Sequence, residues 1–252
     1  MNNRYARLAS WVYNLDKPVG RSFGDVEYYR QRLEPCRGPV LEPAVGNGRV
    51  FVPLLEAGFA MEGFDASDEM LAYCRDECRR RNLSARLTRQ TFADFHYESA
   101  FSAIIVPAGS FQLVTDAASA KTVLRRFFDY LVPGGKLLLD LDPVSAFLEP
   151  AGSVRSWTTP DGDLLTLTEQ RVETDCVAQT TLAHLRYDHW RDGRLLASEL
   201  DLFKLRWWGV GEFSLFLRDA GFVDVVASGN YQHGRQPRKG DDSISFEAYR
   251  PA

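Results

Sequence analysis

Leu41-Glu42-Pro43-Ala44-Val45-Gly46-Asn47-Gly48-Arg49 marks the point where a short apolar run hands over to a stretch with helical spacing. Two glycines at such a junction let the backbone pass close to a ligand. The helix start beyond them offers unpaired N–H groups and partial positive charge to an anionic group. Asp65 follows at the end of the next apolar run, where an acceptor-only carboxylate can take both hydroxyls of a ribose. A nucleoside-containing ligand is implied.

Outward from this loop, short apolar runs alternate with helical stretches. The spacing predicts strands at Val40-Leu41, Ala60-Phe64, Ala85-Leu87, Ala103-Val106 and Lys136-Leu141. Helices are predicted from Arg49 to Ala57, from Ser67 to Arg81 with Ser67 as a good N-cap, and from Asp116 to Leu131 before Pro133-Gly134-Gly135. This is the pattern of a doubly wound parallel α/β sheet. Beyond Pro150 the texture becomes alternating, β-branched and aromatic, with Asp161-Gly162 and Asp192-Gly193 as hairpin turns. A two-residue loop at Asp192-Gly193 would set Arg186 opposite Glu199 and His184 opposite Asp201 on one face, with Ala183, Leu185, Leu200 and Leu202 lining the other. A helix from Gly211 to Ala220 and strands at Phe222-Ala227 and Ser243-Tyr249 close the chain.

Composition bounds the rest. With 252 residues, 45% of them hydrophobic, there is material for one core with an appended subdomain. Lys+Arg is 30 against Asp+Glu 34, so no positive field exists to hold nucleic acid by its phosphates. The start Met1-Asn2-Asn3-Arg4-Tyr5 lacks the apolar stretch of a secretory signal, and no apolar run reaches the ~20 residues of a membrane span. The expectation is a cytoplasmic protein with no membrane or nucleic-acid partner, monomeric or homodimeric. Cys36, Cys74, Cys78 and Cys176 lack zinc-site spacing; Cys74 and Cys78 read as two thiols on one helix, and no metal is expected.

Two cofactors compete for the loop. A dinucleotide fingerprint wants a third glycine at position 51, and Phe51 stands there. The chain instead resembles class I S-adenosylmethionine (SAM) methyltransferases in the order of several segments. Glu42-Pro43-Ala44-Val45-Gly46-Asn47-Gly48 is similar to that family's first motif, Gly63-Phe64-Asp65-Ala66-Ser67 with Met70-Leu71 to its second, and Leu131-Val132-Pro133-Gly134-Gly135 to the turn before its fifth strand. Two positions depart from the pattern. Ala44 replaces the usual first glycine, tolerable if its backbone angles are ordinary, and Thr91, not Asp94, falls where the adenine-contacting acid is usual.

The resemblance implies a Rossmann-like seven-stranded methyltransferase sheet with an antiparallel β insertion after strand 5. It divides the chain into an N-terminal helical cap (1–38), a SAM-binding core (39–150 and 209–252) and an insertion covering the acceptor site (151–208). The cofactor residues it implies are Glu42, Ala44, Gly46, Asn47, Gly48 and Arg49 in the loop, Asp65, Ala66 and Met70 after the second strand, Thr91 and Phe92 at the adenine, Pro107 near the sulfonium, and Tyr29 from the N-terminal helices. Acceptor-site candidates are Tyr13, Ser110, Trp157, His184, Arg186, Arg206 and Trp207. For His184 and Arg186, ion pairing across the hairpin is the simpler account. Of Trp207 and Trp208, neighbours on one strand, one is expected in the core.

The activity implied is methyl transfer to nitrogen or oxygen of a small-molecule acceptor, with S-adenosylhomocysteine as product and no catalytic residue identified. Ala108-Gly109-Ser110 lacks the Asn-Pro-Pro-Tyr type of sequence found in methyltransferases acting on nucleobases, which disfavours a flipped base. The alternatives are a non-catalytic SAM-binding regulatory subunit and a nicotinamide-dependent oxidoreductase.

Overall fold

A computed structural model describes residues 5–149 and 152–252. The expected boundary at 150/151 and the first residues of the 1–38 segment lie outside the described residues. Helices α1 (Arg7–Asp16) and α2 (Asp25–Leu33) precede an alternating unit: β1 (Val40–Pro43), α3 (Phe51–Glu56), β2 (Met61–Asp65), α4 (Asp68–Arg80), β3 (Arg86–Arg89) and β4 (Phe101–Val106). A 3₁₀ turn at Ser110–Leu113, α5 (Ala117–Tyr130), β5 (Leu131–Leu141) and α6 (Val144–Leu148) follow. Then come β6 (Gly152–Thr158), β7 (Leu164–Asp175), β8 (Thr180–Arg191) and β9 (Arg194–Arg206), and the chain closes with α7 (Val210–Asp219), β10 (Val223–Gly229) and β11 (Ile244–Tyr249).

The fold class expected from the sequence is the one observed. Seven strands form one sheet in the order β10-β11-β5-β4-β1-β2-β3, and β6 to β9 form a separate four-stranded sheet. Strands β1 to β5 pair in parallel, while β11 runs antiparallel to β5 and β10. The sheet is covered on both faces because its central strands are apolar on both. One face packs Phe95, Phe111, Phe127 and Trp208 with α5 and α7; the other packs Tyr29, Phe51, Leu71 and Cys74 with α2, α3 and α4. Helix starts follow their caps: Ser67 Oγ accepts from Met70 N at 3.2 Å and Asp116 Oδ1 from Ser119 N at 2.7 Å. Parallel order brings the loops after β1, β2 and β4 together at one edge, the edge where α/β sheets hold ligands.

The antiparallel sheet corrects the expected hairpin register. Asp192 and Gly193 do form a two-residue turn, both with positive φ (48° and 72°). A bulge at His189/Trp190 then shifts the pairing by one residue, so Arg186 lies opposite Leu200 and His184 opposite Leu202. A one-residue slip exchanges the faces of β9. Leu200 is left exposed, while Glu199, Asp201 and Phe203 join Leu185, Tyr187 and Ala183 on the inner face. Arg186 pairs along its own strand with Asp188, at 3.0 Å. At the sheet's tip Asp163 clamps two strands, accepting from His189 Nε2 at 2.6 Å and Arg191 Nε at 2.6 Å.

Helix α1 lies on that inner face, burying Leu8, Ala9 and Val12 against Leu165, Leu167 and Tyr187. Its N-cap residue Ala6 has no side chain to offer. The missing cap comes from the sheet, since the slip turns Glu199 Oε2 toward the Leu8 amide at 2.8 Å. Glu199→Ala should therefore destabilise the protein by about 1 kcal/mol in urea titration, and Glu199→Gln, which keeps the acceptor oxygen, by clearly less.

Candidate functional site

The motif loop folds as a series of tight turns. Val45 N donates to Phe64 O at 3.0 Å and Gly48 N to Val45 O at 3.0 Å, drawing the loop over the end of β2. Asp65 completes the clasp: Oδ2 accepts from Gly46 N at 2.9 Å and Oδ1 from Ser67 N at 2.8 Å. Burial pushes the Asp65 carboxyl up from its ordinary range, and these two amides counter part of that push. The two loop glycines do different work. A side chain at Gly48 would meet Cys74 Sγ at 2.6 Å, so this glycine lets the loop pack on α4, whereas open space lies beside Gly46. Ala44 departs from its expectation, because its φ is +53° and it sits in the conformation that favours glycine.

The N-terminal segment closes over this loop. Asn47 Nδ2 donates to Asn14 Oδ1 at 3.0 Å and to Lys17 O at 2.9 Å. Arg49 does not sit free in the loop; it is buried and paired with Asp25 at the start of α2, Nη1 reaching Oδ1 at 3.1 Å and Arg21 O at 2.9 Å. Phe23 covers the guanidinium, 5.2 Å from its ring centre. Burial opposes ionisation of Asp25, but its bond to Arg49, the Arg49 charge and the Phe23 and Val26 amides together outweigh that and hold the carboxyl below its usual range. Tyr13 faces Arg49, Glu42 and Asp65. Tyr5 lies edge-on to Tyr13 at 5.8 Å and to Phe203 of β9 at 6.2 Å. Its phenol is pushed well up by burial, then by Tyr13 and Tyr187, then by Asp65 and Asp201, which places it between the loop and the antiparallel sheet.

Two buried acceptors of this loop have no partner, Glu42 Oε2 and Asn47 Oδ1. Unmet acceptors inside a core are costly and call for a donor-bearing ligand. Burial holds the Glu42 carboxyl well above its ordinary range, only partly offset by Arg49. A ligand with an ammonium group and ribose hydroxyls fits this set, and the open space beside Gly46 leaves room for it. A dinucleotide fits poorly, since the Phe51 ring fills the place where β2 passes the helix, at 3.2 Å from a side chain built on Gly63.

The other expected cofactor residues are spread along the same edge. Ala66 is exposed and Met70 buried at the head of α4. Thr91 and Asp94 form one unit, the Thr91 amide donating to Asp94 Oδ1 at 3.1 Å, so the acid lies beside the position that departs from the pattern. Phe92 packs edge-on to Phe64 and Phe127, both at 6.1 Å, as a core residue would. Pro107 is buried at the end of β4, and Tyr29 meets Asp140 rather than the motif loop.

The acceptor candidates divide. Tyr13 lies at the loop, and Ser110 is in the turn after β4, donating to Pro107 O at 2.8 Å. Trp157 is on the inner face of β6, beside α1. His184 and Arg186 are on the outer face. Arg206 is a tie at the foot of the antiparallel sheet, donating to Ala178 O and Gln179 Oε1, both at 2.7 Å, over the ring of Trp208. Trp207 packs on Phe147 of α6 at 6.0 Å, and Trp208 is the core member of the pair. Two residues that sequence reasoning passed over are Asp25 and Asp140, while Glu199, expected opposite Arg186, instead caps α1. Only Asp140 carried a signal, an acid inside the apolar run Leu137 to Leu141. Among the described residues no group of His, Cys, Asp and Glu is arranged to hold a metal, and no helix is long and apolar enough to cross a membrane.

Comparison with known proteins finds similar chains. The family described as "Methyltransferase domain" matches residues 40–135. A glycine/sarcosine N-methyltransferase of Parasynechococcus marenigrum (strain WH8102) is 28% identical over 234 residues, 91% of this chain and 77% of the relative. In fold, a SAM-dependent methyltransferase from Clostridium acetobutylicum ATCC 824 superposes with TM-score 0.75 at 16% identity, over 96% of this chain and 98% of its own. The sugar N-methyltransferase KedS8 from Streptoalloteichus sp ATCC 53650 gives TM-score 0.74 at 18% identity, over 92% and 90%. The resemblance to class I SAM-dependent methyltransferases seen in the ordered motifs is borne out by the family match and by the fold.

Two outcomes follow from the loop. Arg49→Met leaves Asp25 buried and unpaired and should cost about 3–5 kcal/mol in chemical denaturation, while the double variant with Asp25→Leu should recover part of it. Because Asp25 is held below its ordinary range, its contribution is present above the unfolded value and fades as pH falls through the folded one. Ala44→Gly should be neutral or stabilising by up to ~1 kcal/mol, whereas glycine elsewhere in a strand end or loop ordinarily destabilises.

Proposed function

We propose that this chain, with its class I SAM-dependent methyltransferase core, methylates the amine nitrogen of a small-molecule acceptor. The observation that carries the cofactor half is the buried, partnerless Glu42 Oε2 at the end of the strand that leads into the loop, together with the open space at Gly46. Nitrogen over oxygen is supported by the names of the relatives, a glycine/sarcosine N-methyltransferase and a sugar N-methyltransferase. It is also supported by the carboxylates of Glu169 and Asp201 on the inner face of the antiparallel sheet, which favour a cationic over an anionic acceptor.

The bound cofactor supplies a methyl group on a positively charged sulfur with a neutral thioether as leaving group. Glu42 and Asn47 would accept from its amino-acid end, and Asp65 from its ribose. Tyr5, Tyr13 and the inner face of the antiparallel sheet stand between the motif loop and solvent, so their work is to orient the acceptor and keep water out. An ammonium has no lone pair to attack with. The acceptor must shed one proton before transfer, and the methylated amine that results sheds a second to solvent if it leaves neutral.

Titration calorimetry with S-adenosylhomocysteine should give one site per chain, weakened at least about tenfold in Asp65→Ala. Incubation with SAM and a panel of glycine, sarcosine and amino sugars should add one methyl by mass to at least one amine. Binding of S-adenosylhomocysteine without turnover of any amine or hydroxyl acceptor would favour a regulatory subunit. Absence of binding would remove the cofactor assignment.

A further inference from the structure

We propose that Asp140 is a positioning residue for the transfer step, holding through the Ala108 amide and the Tyr231 hydroxyl the turn after β4 against which the acceptor is presented. The inference rests on the methyl-transfer reading and extends it to a residue on β5.

The turn after β4 is strained and tied at two points to the end of β5. Ala108 and Gly109 both have positive φ, 56° and 69°. One tie is made of uncharged groups: Gln112 Oε1 accepts from Asp142 N at 2.9 Å, and Gln112 Nε2 donates to Asp142 O at 3.3 Å. The other is Asp140, whose Oδ2 accepts from Ala108 N at 3.2 Å and from Tyr231 Oη at 3.2 Å. Tyr231 is delivered by the loop between β10 and β11, where it and Asn230 both hold left-handed φ (55° and 49°). A non-glycine pair held this way is stabilised by its surroundings and points to a constrained role. Asp140 thus joins β4, β5 and the closing loop at the edge that carries the cofactor loop.

The site is also unfinished. Asp140 is 1% exposed, and its Oδ1 faces the Tyr29 hydroxyl of α2 without the two meeting in a well-formed hydrogen bond. The groups turned toward Asp140 are Tyr28, Tyr29 and Asp25 from α2, Tyr231 from the closing loop, and the Ala108 amide from the β4 turn. Ser245 lies opposite on β11. Arg49 is engaged by Asp25, and Lys136, further down the same strand, by Glu247 and Arg32 O. Burial therefore pushes the Asp140 carboxyl up to about 7, with the Tyr29, Ala108 and Tyr231 donors pulling the other way and Asp25 adding to the rise. Ionised, it makes a charge-assisted bond to the Ala108 amide. Protonated, it loses acceptor strength there and gains a proton to give to Tyr29. The turn is firm on the alkaline side of neutrality and slack on the acid side.

The test reads the turn directly. In the ¹⁵N spectrum of the full chain with S-adenosylhomocysteine, the Ala108 amide should shift with a midpoint near pH 7. It should not titrate in Asp140→Asn. In Tyr231→Phe, which loses a donor that favours the ionised form, the midpoint should move upward. With an amine acceptor from the panel, kcat/KM should fall about tenfold in Asp140→Asn at alkaline pH, with affinity for S-adenosylhomocysteine within about twofold of the parent. The acid limb of the pH profile should follow the Ala108 midpoint in Tyr231→Phe, whereas a limb due to the acceptor's own ammonium would stay in place. An Ala108 amide that does not titrate between about pH 6 and 8, or variants that keep the parental pH profile, would overturn the proposal. If no amine is turned over, the methyl-transfer reading falls, and the amide titration alone decides the tie between Asp140 and the turn.

Discussion

The buried pair between Arg49 and Asp25 is the interaction on which the rest of the site depends. It joins the first turn beyond the motif loop to the start of α2, and through the Arg21 carbonyl it also holds the connection between α1 and α2. A charge pair withdrawn from water is stabilising only when geometry and extra hydrogen bonds satisfy both partners. Arg49 meets that condition with two oxygens of Asp25, a carbonyl and an aromatic face. With it in place, α1 and α2 cover the carboxyl edge of the sheet and the cofactor loop is enclosed.

Enclosure has a physical consequence. Once the N-terminal helices shut water out, every polar atom facing the edge needs a protein partner or a ligand. Asp65 is met by two backbone amides and serves as a clasp. Glu42 and Asn47 retain unpaired acceptors for a ligand, and Asp140 Oδ1 faces Tyr29. The left-handed Ala44 and Ala108 lie on the two loops that flank these atoms. Stability is given up at the same edge where a ligand would restore it, which is the usual distribution of strain in a binding site.

The antiparallel sheet shows how one residue alters a surface. Its strands, turns and the pairing of Arg186 with a carboxylate are all legible in the sequence, but the carboxylate is Asp188 and not Glu199. The bulge beside Trp190 costs one ladder position and reassigns every side chain of β9 beyond it. Glu199 thereby becomes the cap of α1, and acids rather than leucines take the inner face. Alternation of apolar and polar residues could not reveal this, because β9 reads equally well in either register until the partner strand and α1 are in place.

Local chemistry in the sequence determined the core of this protein. Glycine spacing, the acid after the second strand, N-caps at Ser67 and Asp116, and the apolar runs of the parallel strands each act within a few residues, so their meaning survives without the fold. Tertiary structure alone decided what Arg49 binds, that Ala44 takes a left-handed turn, which face of β9 looks inward, and that Asp140 meets Ala108, Tyr29 and Tyr231. Those partners are separated by tens of residues along the chain. Their pairing is set by how closely packed elements share the burial of polar atoms, a balance that no single segment contains.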